Sequence, residues 1–371
     1  MKILVTGGAG FIGSNFIYYM LEKYPDYHII NLDLLTYCGN LENLKYAENN
    51  PNYNFVKGDI ADNQLVDKIV SENKVDYIIN FAAESHVDRS IQDPKIFLES
   101  NIIGTQNLLE IAKKYHEKGQ FKKYIQISTD EVYGTLGKTG YFTETTSLAP
   151  NSPYSASKAG ADLIVRAYHE TFNLPINITR CSNNYGPYQF PEKLIPLMIN
   201  NALNNKKLPV YGDGKNIRDW LHVHDHCTAI DLVLHKGKVG DVYNIGGNNE
   251  KENIKIVKFI LKYLKKSEDL IEYVEDRLGH DRRYAIDSTK IQKELGWTQK
   301  YTFEIGIEET IGWYLANSDW LNSVISGDYV SYYEKMYGKD WNIYFNLLFL
   351  NWFCYKLITI LYWIIFLNLL L

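Results

Sequence analysis

The sequence has little of what would place it in an oxidising compartment or on a nucleic acid. Four cysteines, Cys38, Cys181, Cys227 and Cys354, are scattered through 371 residues with no Cys-x-x-Cys spacing. That pattern argues against a disulfide framework. No cysteine sits in a context that would activate its thiol, so reduced cytoplasmic thiols are expected. A cationic excess is also missing: 39 Lys and Arg against 44 Asp and Glu give a formal charge of −5, which argues against a nucleic-acid partner. No secretory leader is expected, because Met1 opens directly into a strand-like run. There is no internal repeat and no Ser/Gly-rich or Pro-rich linker, with only ten prolines in all. The parts of the chain should therefore pack against each other around a cleft.

What is present is alternation. The apolar runs "KILVT", "HIINLD", "YNFVKGD", "DYIINFA", "KYIQIS" and "INITRC" alternate with longer segments of helical period, the pattern of repeated βαβ units. Continuous rather than alternating apolar character implies strands buried on both faces, hence a parallel sheet covered by helices. The expected class is a doubly wound α/β fold with a smaller C-terminal α/β domain. After about residue 187 turn-rich stretches such as "YGDGKN" and "IGGNNE" interrupt the pattern. The first domain is expected over residues 1–186 with about 219–246, and the second over 187–218 with about 247–338. Residues 339–371 form an atypical apolar tail. From residue 342 onward its only charged side chain is Lys356, and a membrane-spanning helix takes about 20 apolar residues. A membrane anchor, a helix buried in an oligomer and a functionless reading-frame extension all stand as readings of it.

"VTGGAGFIGS" follows the first strand and opens the first helix. There Gly7, Gly10 and Gly13 permit a tight turn and let backbone N–H groups approach a pyrophosphate, a Rossmann-type dinucleotide signature. Asp33 ends the second strand, twenty residues after Gly13. Its carboxylate suits ribose hydroxyls and repels a 2′-phosphate, so NAD is expected rather than NADP. Asp59 and Ile60 in "VKGDI" end the next strand, where they suit the adenine.

"YSASK" puts Tyr154 and Lys158 four residues apart at a helix start, on one face. Lys158 and a positive nicotinamide would favour the phenolate, letting Tyr154 take a proton from a sugar hydroxyl. "STDEVYG" adds Thr129, Asp130 and Glu131 at a strand end. Oxidation of an alcohol needs the tyrosine and a hydroxyl such as Thr129, not two carboxylates. A ketone acidifies the neighbouring C–H bond, so Glu131 can take that proton while a protonated Asp130 gives one to a departing hydroxyl. Adjacent carboxylates split their proton affinities, as a base and an acid require. The pair therefore points to elimination of water.

These stretches, with "LTYCGNLENL", "AAESHVDRS", "CSNNYGPYQFPEKLIPL", "YGDGKNIRDWLHVHDH" and "DRLGHDRRYAID", resemble the dTDP-glucose 4,6-dehydratase family of extended short-chain dehydrogenase/reductases over about residues 1–338. The resemblance implies an NAD-dependent hydro-lyase that works as a homodimer on a nucleotide sugar, with Tyr154 on O4, Glu131 on C5 and Asp130 on the C6 hydroxyl. It implies contacts to NAD from Phe11, Ile12, Asp33, Thr36, Asp59, Ile60, Ser100, Tyr154, Lys158 and Asn184. It implies contacts to dTDP-glucose from Ser85, Thr129, Asn183, Lys193, Leu194, Tyr211, Arg218, Asn253, Arg277 and His280. Planar Arg218 and Arg277 suit a diphosphate, and Tyr211 offers an aromatic face to a pyrimidine. Leu278 stands where the family commonly has proline, which would loosen the loop carrying Arg277 and His280.

No metal is expected. His222, His224 and His226 alternate in "HVHDH" and would share one face of a strand, but the implied mechanism uses no metal and a structural role is preferred. The rival readings are a dehydratase for another nucleotide sugar, a 4-epimerase, for which the acid pair would be surplus, and a non-catalytic NAD sensor.

Overall fold

The six apolar runs become strands of one parallel sheet. In this computed structural model, which describes residues 1–325, twelve strands are present among the described residues. They are β1 (Lys2–Thr6), β2 (His28–Asp33), β3 (Tyr53–Lys57), β4 (Tyr77–Asn80), β5 (Lys123–Thr129) and β6 (Ile176–Cys181), then β7 (Asn183–Tyr185), β8 (Leu208–Tyr211), β9 (Ile217–His222), β10 (Val242–Ile245), β11 (Glu250–Glu252) and β12 (Ile271–Val274). The main sheet has seven strands in the order β10-β6-β5-β4-β1-β2-β3, and every pairing in it is parallel. Two smaller sheets, β11-β9-β7 and β12-β8, lie outside it. Met1–Val324 form one compact unit. The expectation for the apolar tail, from residue 342 onward, lies outside the described residues. Among those described, no helix is long and apolar enough to cross a membrane.

Helices cover both faces of the sheet, as continuous apolar strands require. On one face Phe16, Ile17 and Met20 of the helix Phe11–Lys23 join Ile230 and Val233 of the helix Val223–Lys236 over Ile3, Ile29 and Ile79. On the other, Leu108, Ile111 and Val165 cover Leu4, Ile78 and Ile178. Chain order runs outward in opposite directions from β1 and β4, so the loops after these two strands part and leave a crevice at their carboxyl ends. Buried Lys123, opening β5, reinforces the frame: its Nζ donates to the carbonyls of Val233 (3.2 Å), Leu234 (3.2 Å) and Gly237 (3.0 Å). These carbonyls lie at the C-terminal end of the helix Val223–Lys236, where a cation is favoured.

The histidines depart from the expected strand. Only His222 lies in β9, and the helix Val223–Lys236 begins immediately after it, with His222 accepting from His224 N. The change of element gives His226 a different partner from the other two, whose rings both meet Tyr301. His222 stacks on Tyr301 at 3.9 Å, while His226 Nδ1 meets Asn184 Oδ1 at 2.9 Å.

Candidate active site

The glycine loop closes between β1 and the helix Phe11–Lys23. Gly7 has φ +68, and a Cβ there would sit 2.6 Å from Ala82 N; at Gly13 it would sit 2.5 Å from Gly7 O. Both close approaches admit only glycine. The helix start has Gly10 as its cap with no side chain capping it, so its first-turn N–H groups are available to an anion. Gly7, Gly10, Phe11, Ile12 and Gly13 all line the crevice.

Asp33 stands at the carboxyl end of β2 and lines the same crevice, with Oδ2 accepting from Ala9 N (2.9 Å) and Oδ1 from Leu35 N (2.8 Å). Burial raises its carboxyl, and those two N–H groups pull it back. Thr36, Asp59, Ile60, Ser100 and Asn184 line the cleft too. Asp59 is held by its Oδ1 accepting from Ala61 N at 2.8 Å.

β5 delivers the acid pair. Thr129 caps the short turn Asp130–Tyr133, accepting from Glu131 N at 3.2 Å and donating to Asp130 Oδ1 at 3.4 Å. Asp130 Oδ2 has no partner. Burial pushes the Asp130 carboxyl well up, and the charges of Glu131 and Asp219 push it further. Burial raises Glu131 as well, but Arg277, Lys193 and Arg218 oppose it. One carboxyl is thus driven toward the acid form while its neighbour faces three cations.

The helix Pro153–Phe172 supplies the other pair. Ser152 and Ser155 cap its start reciprocally, and Pro153 occupies the first turn. This fixes Tyr154 at the mouth and Lys158 one turn deeper, and both line the cleft. Burial raises the Tyr154 phenol well above its ordinary value, and the Glu131 carboxylate adds to that. Lys158 Nζ donates to Ile127 O at 2.7 Å, and burial lowers its affinity for the proton. The protein alone therefore holds the phenol neutral, because burial and the Glu131 carboxylate both disfavour the phenolate.

Ser85, Asn183 and Lys193 also line the cleft, with Lys193 Nζ donating to Ser85 O at 2.8 Å. Leu194, Tyr211, Arg218, Asn253, Arg277 and His280 are not among its walls. Leu194 follows Lys193 directly and opens the helix Leu194–Leu203. Tyr211, Arg277 and His280 gather beside it: Tyr211 OH donates to Asp88 Oδ2 (3.4 Å), Arg277 pairs with Asp88 Oδ1 (3.6 Å), and the Tyr211 and His280 rings meet edge-on at 6.0 Å. Arg218 donates to Asp281 O at 2.9 Å and lies over the Tyr284 ring. Asn253 stands further off, opening the helix Asn253–Tyr263 with a buried Oδ1 that has no partner. Leu278, at the tip of this loop, is exposed.

Sequence reasoning missed three charged residues of this network, of which Glu192 lines the cleft. Asp88 links Tyr211 to Arg277, and Glu192 accepts from Arg89 Nε at 3.3 Å while Arg89 stacks 3.9 Å above the Tyr37 ring. Their signal was charge inside "AAESHVDRS" and "FPEK", with nothing to say which partner each would meet. Among the described residues no group of three or more His, Cys, Asp or Glu is arranged to hold a metal ion.

Comparison with known proteins follows this geometry. A family model described as GDP-mannose 4,6 dehydratase matches residues 4–310. A dTDP-glucose 4,6-dehydratase of Xanthomonas campestris pv. campestris is 54% identical over 340 residues, covering 88% of this chain and 96% of that protein. One from Salmonella typhimurium is 51% identical over 358 residues, covering 91% and 99%. Among solved structures, the dTDP-glucose 4,6-dehydratase of Bacillus anthracis in complex with NAD aligns with a TM-score of 0.82 at 59% identity, covering 87% of this chain and 99% of that one. The UDP-glucose 4-epimerase of Thermotoga maritima aligns at 0.79 with 30% identity, covering 86% and 100%. By these matches the chain belongs to the extended short-chain dehydrogenase/reductase family that includes the dTDP-glucose 4,6-dehydratases.

Proposed function

We propose that the chain is an NAD-dependent dTDP-glucose 4,6-dehydratase, releasing water and dTDP-4-keto-6-deoxy-glucose. The observation that carries the reading is Asp130, buried beside Glu131 at the end of β5 in the cleft that Tyr154 lines. The residues fit NAD: the glycine loop leaves space that any Cβ would fill, the helix start faces it, and Asp33 suits the ribose. Bound NAD supplies the acceptor for the C4 hydrogen of the sugar and returns it at C6.

Within that cleft Tyr154 takes the proton from O4, with the Thr129 hydroxyl beside it. Its neutral resting state means that the positive ring of the cofactor and Lys158 must draw the phenol down on binding. Glu131, facing Arg277, Lys193 and Arg218, takes the C5 proton that the 4-ketone acidifies and, after exchange with solvent, returns one to C5 when hydrogen is restored at C6. Asp130, held toward its neutral form, protonates the C6 hydroxyl as it leaves. Arg218 and Arg277 suit the diphosphate and Tyr211 the thymine.

The homodimer belongs to the same reading. It is supported by Leu98, Ile103, Leu163 and Phe172, large apolar side chains exposed on neighbouring helical segments. A cytoplasmic location fits the free thiols of Cys38, Cys181 and Cys227. The division into a cofactor domain, 1–186 with 219–246, and a sugar domain, 187–218 with 247–338, is proposed on the same terms; β8 and β12 fall in the latter. The test is incubation with NAD and a panel of nucleotide diphosphate glucoses, scored by mass. Loss of one water from the thymidine sugar is expected. A product of unchanged mass epimerised at C4, or no product at all, would refute the reading.

A further inference from the structure

Apart from Thr36, the stretch "LTYCGNLENL" has no part assigned above, yet it lies against the glycine loop. The N–H groups of that loop are already engaged: Gly7 with Leu32 O, Gly8 with Asn31 Oδ1, Ala9 with Asp33 Oδ2 and Gly10 with Gly7 O. The Ala9 carbonyl is gripped from the other side. Asn43 Nδ2 donates to it at 2.8 Å and Asn40 N at 3.0 Å. Asn43 is 2% exposed, and its Oδ1 accepts from Trp320 Nε1 at 2.8 Å. Trp320 comes from the helix Ser318–Val324 and is wedged against Trp313 (5.1 Å), Tyr188 (5.8 Å) and Tyr314 (6.1 Å). An indole N–H only donates and a peptide carbonyl only accepts, so a single orientation of the Asn43 amide satisfies both neighbours.

We propose that Trp320 and Asn43 act in series as a clamp on the Ala9 peptide, holding the glycine loop in the conformation that receives the pyrophosphate of NAD. Both are positioning residues. A loop rich in glycine has the most conformational freedom to lose, and a loop ordered in advance removes that loss from the binding step. The inference rests on the reading that this loop holds NAD.

The test is calorimetric binding of NAD, and separately of dTDP, to the cofactor-stripped full chain and to Asn43→Leu, Trp320→Phe and the double variant. Asn43→Leu is expected to weaken NAD binding about tenfold and Trp320→Phe about threefold. Because Trp320 works through Asn43, the double variant should bind no more weakly than Asn43→Leu. Binding of dTDP should not change, which separates a clamp from general loosening. Unchanged NAD affinity in either variant, multiplied effects in the double, or an equal loss of dTDP affinity would overturn the clamp. Should Asn43→Leu fail to fold, Trp320→Phe decides alone, by the same threefold loss or its absence. If the unmodified chain binds dTDP but no NAD, the cofactor reading falls and the clamp falls with it, whereas NAD binding unchanged by the variants overturns the clamp alone.

Discussion

Asp130 in the cleft and Asp231 on the helix Val223–Lys236 are each 1% exposed and chemically opposite. Asp231 sits between the helices Phe11–Lys23 and Val223–Lys236, where Lys23 Nζ (2.7 Å), Tyr19 OH (2.9 Å) and Tyr24 OH (3.1 Å) donate to it and His235 Nδ1 lies at 2.8 Å. Burial would raise its carboxyl, but hydrogen bonds from His235, Lys23 and Tyr19 outweigh burial and hold it down to about 2. Asp130 has a weak contact from Thr129 and an oxygen with no partner, so burial wins and its carboxyl rises. At equal exposed area, the partners a carboxylate finds separate one that fastens helices together from one that stores a proton for chemistry.

The contrast is sharpest in paired substitutions. Glu131→Gln and Asp130→Asn should each lower kcat by roughly 10²–10⁴-fold. In Glu131→Gln the absorbance of reduced nicotinamide should build up and persist in stopped-flow, since C4 oxidation precedes the step it blocks. Asp130→Asn should leave the melting temperature unchanged or higher, because it removes an unsatisfied buried acid; a lower one would break the comparison. Asp231→Ala should do the reverse, costing about 3 kcal/mol in urea unfolding with kcat of the folded enzyme kept.

Acid titration separates the two aspartates next. The Asp231 carboxyl lies below its unfolded value of 3.8, so its stabilisation is complete above that pH and is lost as pH falls toward 2, by roughly 2 kcal/mol. His235 is raised by its hydrogen bond to Asp231, so its contribution is complete below pH 6.5 and is lost as pH rises through its folded value. Asp130, raised, has the opposite sign to Asp231: its protonated form is favoured in the fold, and that contribution is lost as pH rises. Urea midpoints of Asp231→Ala should therefore fall less steeply with acid than those of the unmodified chain. The smallest effect is expected at Asp33, where Asp33→Ala should narrow the preference for NAD over NADP about tenfold. Unchanged discrimination would remove Asp33 from cofactor choice.

Much of the cleft was legible because its signals are local. A glycine loop between strand and helix, a carboxylate at the end of β2, Tyr154 and Lys158 one turn apart and two acids after β5 each fit within ten residues of chain, where periodicity and turn chemistry act. What was not legible is long-range pairing. Nothing in sequence joins Tyr19 to Asp231, Asn43 to Trp320 or Asp88 to Arg277, since such contacts depend on how helices cross after the sheet has formed. The histidines show a related limit: on a strand they would share one face, but the helix Val223–Lys236 starts one residue after the first of them. The hydrogen bond from Lys158 to Ile127 O was not legible either, since it depends on where the helix Pro153–Phe172 settles against β5.

The central claim is that Glu131 and Asp130 divide proton removal and proton delivery across the C5–C6 bond. Turnover of dTDP-glucose in deuterated water, read by mass and by NMR, tests it most directly. The account predicts a product lighter by one water that carries one solvent deuteron at C5, with the original C4 hydrogen now at C6. Water loss without solvent deuterium at C5, or undiminished C5 exchange in Glu131→Gln, would contradict it.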